Sequence, residues 1–344
     1  MIILKNIFFL LFFAAIVSVN ATFAGDIEDA DAALIKGDYP TALKKYKSAA
    51  SKKDAYAQLQ VGGFYYHALG VKRDYLEAIK WFKMAAAQGN ASAQFNLGHM
   101  HSTGLGVALD NVEALRWYKL AASQGDARAQ NNLGLKYQNG QDVVQDRTEA
   151  LRWFKLAAEQ GDKDAQVHLA MMYYDGSGVI QDYAESVRWL RLAAIQDSAY
   201  AQHNLGVAYE NGNGVLQDYA QAVIWYKFAA MQGLADSQFT LGSMYDAGKG
   251  VTQDYSEAVR WYKLAAAQGN TSAQNNLGVK YVNGQGVAQD YVRAHMWQNL
   301  ASISGEKLPI GNRDATAKSL TPQQLAEAQK LARECQARNF KNCD

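Results

Sequence analysis

Few residues in this 344-residue chain combine type and spacing in a way that suits chemistry. Six histidines are scattered, and His99-x-His101 is the only close pair. Two imidazoles so placed could start a zinc site, which needs three or four ligands. His101, however, stands in a column otherwise filled by tyrosine, so burial against its neighbours is the better reading. Ser304-Gly305-Glu306-Lys307 matches a Ser-x-x-Lys string, in which a lysine serves a serine nucleophile. The Ser-Asp-Asn and Lys-Thr-Gly strings that complete such a site are missing, so the match reads as chance. Glycine-rich turns such as Gly104-Leu105-Gly106-Val107 and Gly284-Gln285-Gly286-Val287 look like phosphate cradles. No strand pattern precedes them and their glycines end helices, whereas a cradle opens one. Asp and Glu fall mostly at helix caps. The sequence therefore reads as non-enzymatic, with no cofactor and no metal.

Binding is the chemistry that remains. One column, Gln60, Asn96, Asn132, His168, Asn204, Thr240 and Asn276, recurs every 36 residues. A ladder of amides can pair with the backbone of an extended peptide, or each amide can satisfy local backbone groups. Three and four residues further on, identity varies from copy to copy, as at His99, Lys136, Met171, Met172 and Lys280. Met171, Met172 and Tyr174 form the most apolar and adaptable set, with excess core packing as the alternative. The candidate partner-binding residues are thus Asn96, His99, Asn132, Lys136, His168, Met171, Met172, Tyr174, Asn204, Asn276 and Lys280. The only cysteines are Cys335 and Cys343. Continuous helix would hold them about 12 Å apart, too far for a bridge whose Cα atoms lie about 5.5–6 Å apart. Either the last helix breaks near Arg338-Asn339 and a disulfide forms, the favoured reading, or both thiols stay free.

The elements that must position these residues are set by the tryptophans. All seven, Trp81, Trp117, Trp153, Trp189, Trp225, Trp261 and Trp297, are spaced 36 residues apart. Such a period signals a repeat architecture, in which each unit buries its apolar face only against its neighbours. An Ala-Gln pair (Ala93-Gln94) and a Leu-Gly pair (Leu97-Gly98) keep the same register. Each copy reads as two helices. The second opens at an Asp, from Asp74 to Asp290, with Glu three residues on in five copies, a capping-box pattern. Ala78, Trp81, Phe82 and Ala85 then fall at i, i+3, i+4 and i+7, one apolar stripe. Helices stop at glycines such as Gly89 and Gly125, where a left-handed residue costs least. Glu and Lys or Arg at i, i+3 on the second helix (Glu77 with Lys80, Glu149 with Arg152) read as a solvated outer face.

Domain limits follow. Residues 1–24 read as a signal peptide: Lys5, an apolar run from Ile7 to Val17, and small residues at Ala21 and Ala24. Ala24 is the preferred exit and Ala21 the alternative; the run is short for a transmembrane helix. Residues 25–54 form a degenerate half-repeat, 55–302 the seven repeats, and 303–344 a C-terminal cap. In the cap, Pro309 and Gly311 mark a loop before a helix with Thr321 as N-cap and Pro322 at its first position. A formal net charge of +1 gives no electrostatic case for nucleic acid or an anionic membrane.

The string Ala93-Gln94-Phe95-Asn96-Leu97-Gly98, Gly104-Leu105-Gly106-Val107, Asp110, Ala114, Trp117-Tyr118 and Ala121 to Gly125 resembles the Sel1-like repeat, a relative of the tetratricopeptide repeat. The resemblance implies an all-α fold, a right-handed α/α superhelical solenoid whose first helices line the concave side. It also implies an adaptor or scaffold for a protein or peptide partner in envelope biology, signalling or host contact. Export would place such a chain in the bacterial periplasm or outside the cell, without stable membrane insertion. Some secreted, cysteine-rich relatives have been described as penicillin-binding or β-lactamase-like. Those carry a Cys pair in each repeat, and this chain has two cysteines in all.

Overall fold

The computed structural model describes residues 24–343, of which Ala24 contributes backbone alone. The export signal read over residues 1–24 lies outside the described residues, apart from Ala24. Every regular element among the described residues is an α-helix. They fall into two compact units that part between Asp162 and Lys163. In the first unit, α1 (Ala24–Ile35) and α2 (Tyr39–Ser51) precede three pairs: α3 (Ala55–His67) with α4 (Tyr75–Ala87), α5 (Ala91–Thr103) with α6 (Asn111–Ser123), and α7 (Ala127–Asn139) with α8 (Arg147–Glu159). In the second, four pairs follow: α9 (Lys163–Asp175) with α10 (Tyr183–Ala194), α11 (Ala199–Asn211) with α12 (Tyr219–Met231), α13 (Ala235–Ala247) with α14 (Tyr255–Ala266), and α15 (Thr271–Asn283) with α16 (Tyr291–Ser302). Two more helices, α17 (Lys307–Ala317) and α18 (Pro322–Ala337), close the chain.

The helices begin where cap chemistry dictates. Asp74, Asp110, Asp146, Asp182 and Asp254 each accept the backbone N–H three residues on, meeting one of the four donors a helix start leaves open. The expected capping box is only half made there. Glu77 turns away from the cap, one carboxylate oxygen accepting Trp81 Nε1 at 3.0 Å and the other pairing with Lys80 at 2.8 Å. Glu185 does the same with Trp189 and Arg188. The charge pairs read as surface decoration therefore also help to fix the tryptophans. Arg152, Arg188 and Arg260 complete that layer, each guanidinium lying 4.0–4.6 Å from the centroid of the adjacent indole.

Two devices join helix to helix. The glutamines of the Ala-Gln pairs are buried, and within each unit they bridge consecutive second helices. In the first unit Gln94 Nε2 donates to Ala86 O at 3.3 Å while its Oε1 accepts Gln124 Nε2. In the second, Gln202 links Ala194 O at 3.2 Å to Gln232 at 2.7 Å. The second device explains the Leu-Gly pair. A Cβ on Gly134 would stand 2.5 Å from the Phe154 ring, and one on Gly206 would stand 2.8 Å from the Tyr226 ring. The missing side chain lets an aromatic ring from the paired helix lie on the first helix's backbone. Gly62 with Phe82, Gly98 with Tyr118 and Gly242 with Tyr262 repeat the arrangement. The fourth copy replaces both partners together, with Ala170 for the glycine and Leu190 for the ring.

The end of the chain differs from the expectation. Pro309 and Gly311, read as a loop, lie within α17. Proline is tolerated in a first turn because N–H groups there have no intrahelical acceptor. Ala332 and Cys335 of α18 pack with Trp297 and Leu300 of α16. Past Ala337 the backbone turns through Asn339 and Phe340, both at positive φ. That reversal brings Cys343 to Cys335, and the two are disulfide-bonded with Cα atoms 5.2 Å apart.

Candidate functional site

The two variable columns of the first helices have opposite fates. The column four residues after the amide ladder points into the core: Met100 and Met172 are 0% and 1% exposed, and Phe64, Ala208 and Met244 are buried too. Met172 is therefore a core residue, out of a partner's reach. Lys136 and Lys280 are withdrawn in the same way, despite their charge. Lys136 pairs with Asp142 at 2.8 Å. Lys280 pairs with Asp246, donates to Gln285 at 3.0 Å and lies 4.7 Å from the Tyr255 ring centroid. A buried cation needs such partners. They hold these lysines as parts of the frame, and all three residues leave the candidate set.

The column three residues after the ladder is half-buried in every copy: Gly63, His99, Leu135, Met171, Val207, Ser243 and Val279. So is the ladder itself, and so is the next turn, Tyr66, Ser102, Gln138, Tyr174, Glu210, Asp246 and Val282. Positions i, i+3 and i+6 share a helix face, so each first helix presents one partly open stripe. The third row of that stripe, Tyr174 apart, is not legible in the sequence, because it lies a further turn along and keeps no common residue type.

In the first unit the stripe holds Asn96, His99 and Asn132. His99 is stacked over Phe95 with ring planes 10° apart, and its other neighbour is Tyr66. Ser102 Oγ lies 3.2 Å from Tyr118 Oη. In the second unit it holds His168, Met171, Tyr174, Asn204 and Asn276. Asn204 Nδ2 donates to Tyr200 O at 2.9 Å and Asn276 Nδ2 to Tyr262 Oη at 3.4 Å. These two ladder amides thus satisfy local groups. The structure brings three predicted residues, Met171, Tyr174 and Asn204, around one cleft of about 90 Å3 between α9, α10 and α11. Leu190 and Ser186 of α10 form its inner wall.

Burial depresses the proton affinity of several ring nitrogens on this face. It pushes the imidazoles of His99, His168 and His203 below their ordinary value, with Asp236 and Glu210 opposing the effect at His203. Unfolded histidine takes up its proton near pH 6.5. The folded chain binds that proton less readily, so acid favours unfolding. Thermal midpoints are expected to be flat above about pH 7 and to fall as pH drops through about 6.5 towards 5. His203→Gln is expected to flatten part of that slope. A midpoint that rises on acidification would contradict the assignment, and scanning calorimetry across this range reads it directly.

No metal-holding group of three or more His, Cys, Asp or Glu occurs among the described residues. No described helix is long and apolar enough to cross a membrane. Ser304 Oγ is engaged in its own turn, donating to Ala301 O at 2.9 Å and accepting Glu306 N at 3.3 Å.

Comparison with known proteins gives the arrangement its relatives. The family model described as "Sel1 repeat" matches seven consecutive stretches, residues 55–90, 91–126, 127–162, 163–198, 199–234, 235–270 and 271–305. Among curated proteins, no relative matches the chain. A Sel1 repeat protein from Oxalobacter formigenes is 32% identical, the match covering 88% of this chain and 91% of that one, with a TM-score of 0.63. A protective antigen present in uropathogenic Escherichia coli, whose crystal structure displays an SLR fold, is 30% identical over 93% of this chain and 85% of its own, with a TM-score of 0.58. With seven matched repeats in unbroken succession and an all-helical fold shared with these solenoid proteins, the chain belongs to the Sel1 repeat family.

Proposed function

We propose that this protein is a non-catalytic binding scaffold that presents the first-helix stripes of its repeats to a protein or peptide partner. One observation carries the reading. The buried Ala, Gln, Leu and Gly columns build the frame, and the two half-buried rows that follow the amide ladder on the first helices differ from copy to copy. A rigid frame with a varied, partly apolar surface is what specific recognition needs, since the ordering cost of binding is low. The Sel1 repeat is generally a protein-interaction module, which agrees.

The same proposal places the chain outside the cytoplasm of a bacterium, in the periplasm or secreted. Lys5, the apolar run from Ile7 to Val17 and the small residues at Ala21 and Ala24 support export. So does the Cys335–Cys343 disulfide, a bond that persists in oxidising compartments.

Capture from envelope extracts by the tagged full chain, quantified by mass spectrometry, tests the scaffold reading. Met171→Ala with Asn204→Ala in one variant, and Asn96→Ala with Asn132→Ala in another, remove contacts without touching the buried columns. At least one variant is expected to deplete a captured protein roughly tenfold, the loss seen when an interface hot spot is truncated. Identical capture by wild type and both variants would count against the stripes as the binding surface.

A further inference from the structure

The cleft beside Met171 has a cause in the repeat itself. In the sixth copy Tyr262 occupies the corresponding space. Its hydroxyl donates to Ser243 Oγ at 3.2 Å and Asp246 Oδ2 at 3.3 Å, and accepts Asn276 Nδ2 at 3.4 Å. Subtracting two repeats turns Tyr262 into Leu190, Ser243 into Met171, Asp246 into Tyr174 and Asn276 into Asn204. The cleft is therefore lined by the residues that in the sixth copy surround a phenol. It is open because Leu190 is shorter than the ring it replaces, and because Ala208 stands where Lys280 stands two copies later. Tyr226 fills the same space in the fifth copy and Tyr118 in the second.

A second observation points to what enters. Ser186 lines the cleft at 1% exposure, and its Oγ has no hydrogen-bond partner. Every other copy has alanine in that column: Ala78, Ala114, Ala150, Ala222, Ala258 and Ala294. A buried hydroxyl without a partner is costly, and native proteins keep few of them. No charged side chain lines the cleft. It is thus shaped for a flat neutral ring carrying one polar atom at its leading end.

We propose that this cleft receives a tyrosine side chain of the partner polypeptide, its ring between Met171, Leu190 and Val207 and its hydroxyl hydrogen-bonded to Ser186 Oγ. The leading part of the inserted ring takes the room that Leu190 leaves open where Tyr226 and Tyr262 stand in their own copies, entering from the stripe face. Met171 offers the sulfur–aromatic contact that suits such a ring. A cavity of about 150 Å3 encloses benzene completely; this one, smaller and open on one side, seats the leading part of the ring. Tyrosine is also among the residues that most often anchor interfaces. The inference rests on the scaffold reading and names the chemistry of its partner.

The test uses the full chain with 13C-methyl methionine and a blocked Ala-Ala-Tyr-Ala-Ala peptide as probe, titrated against the Met171 methyl resonance. The tyrosine probe is expected to shift that signal saturably. The phenylalanine analogue should bind about three- to tenfold more weakly, the worth of one hydrogen bond. Ser186→Ala, which restores the residue of the other copies, should make the two probes equal. Leu190→Tyr with Ala170→Gly restores the frame of the other copies and fills the space. It should abolish the shift with no fall in melting temperature. A Met171 signal unmoved by the tyrosine probe, or a shift that survives in the filled variant, would overturn the proposal. So would an unchanged tyrosine preference in Ser186→Ala. An envelope partner captured equally by the wild type and the filled variant would sink the cleft as its seat while leaving the scaffold reading standing.

Discussion

Gly214→Val is expected to destabilise the second unit by about 2–6 kcal/mol. Gly214 lies in the turn between α11 and α12 at φ +72°, and a Cβ there would stand 2.2 Å from the carbonyl oxygen of Tyr183. Two costs combine. A β-branched residue held in the left-handed region costs of order 1–3 kcal/mol. Opening the turn to relieve a backbone clash adds the ~1–3 kcal/mol of an overpacked site. The third copy shows what relief looks like. There Asp142 holds the equivalent position at φ 61°, and its carboxylate pairs with Lys136. Asp, like Asn, tolerates this conformation better than most non-glycine residues, and the ion pair rewards it. In the fifth copy the residue in the lysine's place is Ala208. Gly214→Asp alone should therefore be costly, and Gly214→Asp with Ala208→Lys should recover much of the loss. Urea unfolding of the full chain measures all three. A Gly214→Val midpoint equal to wild type would show that the turn yields freely.

These examples show which features of the fold could be read from the chain and which could not. The 36-residue period, the helix pairs and the Asp caps were legible because each leaves a local mark: a tryptophan, an aspartate, a glycine at a fixed offset. The reach of a long side chain leaves no such mark. Gln94 reads as one more consensus residue, and only the structure shows its amide joining Ala86 to Gln124. Glu77 reads as half of a capping box, yet its carboxylate goes to Trp81 and Lys80. For the candidate site the difficulty was rotational. Offsets of three and four are both near a full helical turn, so Met171 and Met172 looked equivalent in the sequence. Their separation of about 100° around the helix puts one in the core and the other on the stripe. Lys136 and Lys280 misled for a different reason: the rule that charges stay outside fails where an acid is supplied to meet them, and Asp142 and Asp246 supply it.

The glycine–ring pairs make the sharpest energetic claim, because the fourth repeat already contains the compensated version. Tyr226→Leu alone is expected to cost about 2–4 kcal/mol, through the cavity it leaves and the loss of its hydroxyl's bond to Glu210 at 2.7 Å. Gly206→Ala alone removes a helix-weakening residue, a gain of about 1 kcal/mol. Its new methyl, however, meets three atoms of a ring that is 1% exposed. Overpacking of that kind costs about 1–3 kcal/mol, so the single change is neutral to destabilising. Combined, the two substitutions reproduce Ala170 with Leu190. The methyl then occupies space the ring has left, and the helix gains its alanine without the clash. The double variant is expected to be more stable than Tyr226→Leu alone, with a coupling of about 1–3 kcal/mol in a double-mutant cycle. Strict additivity would mean that the paired replacement in the fourth repeat is coincidence.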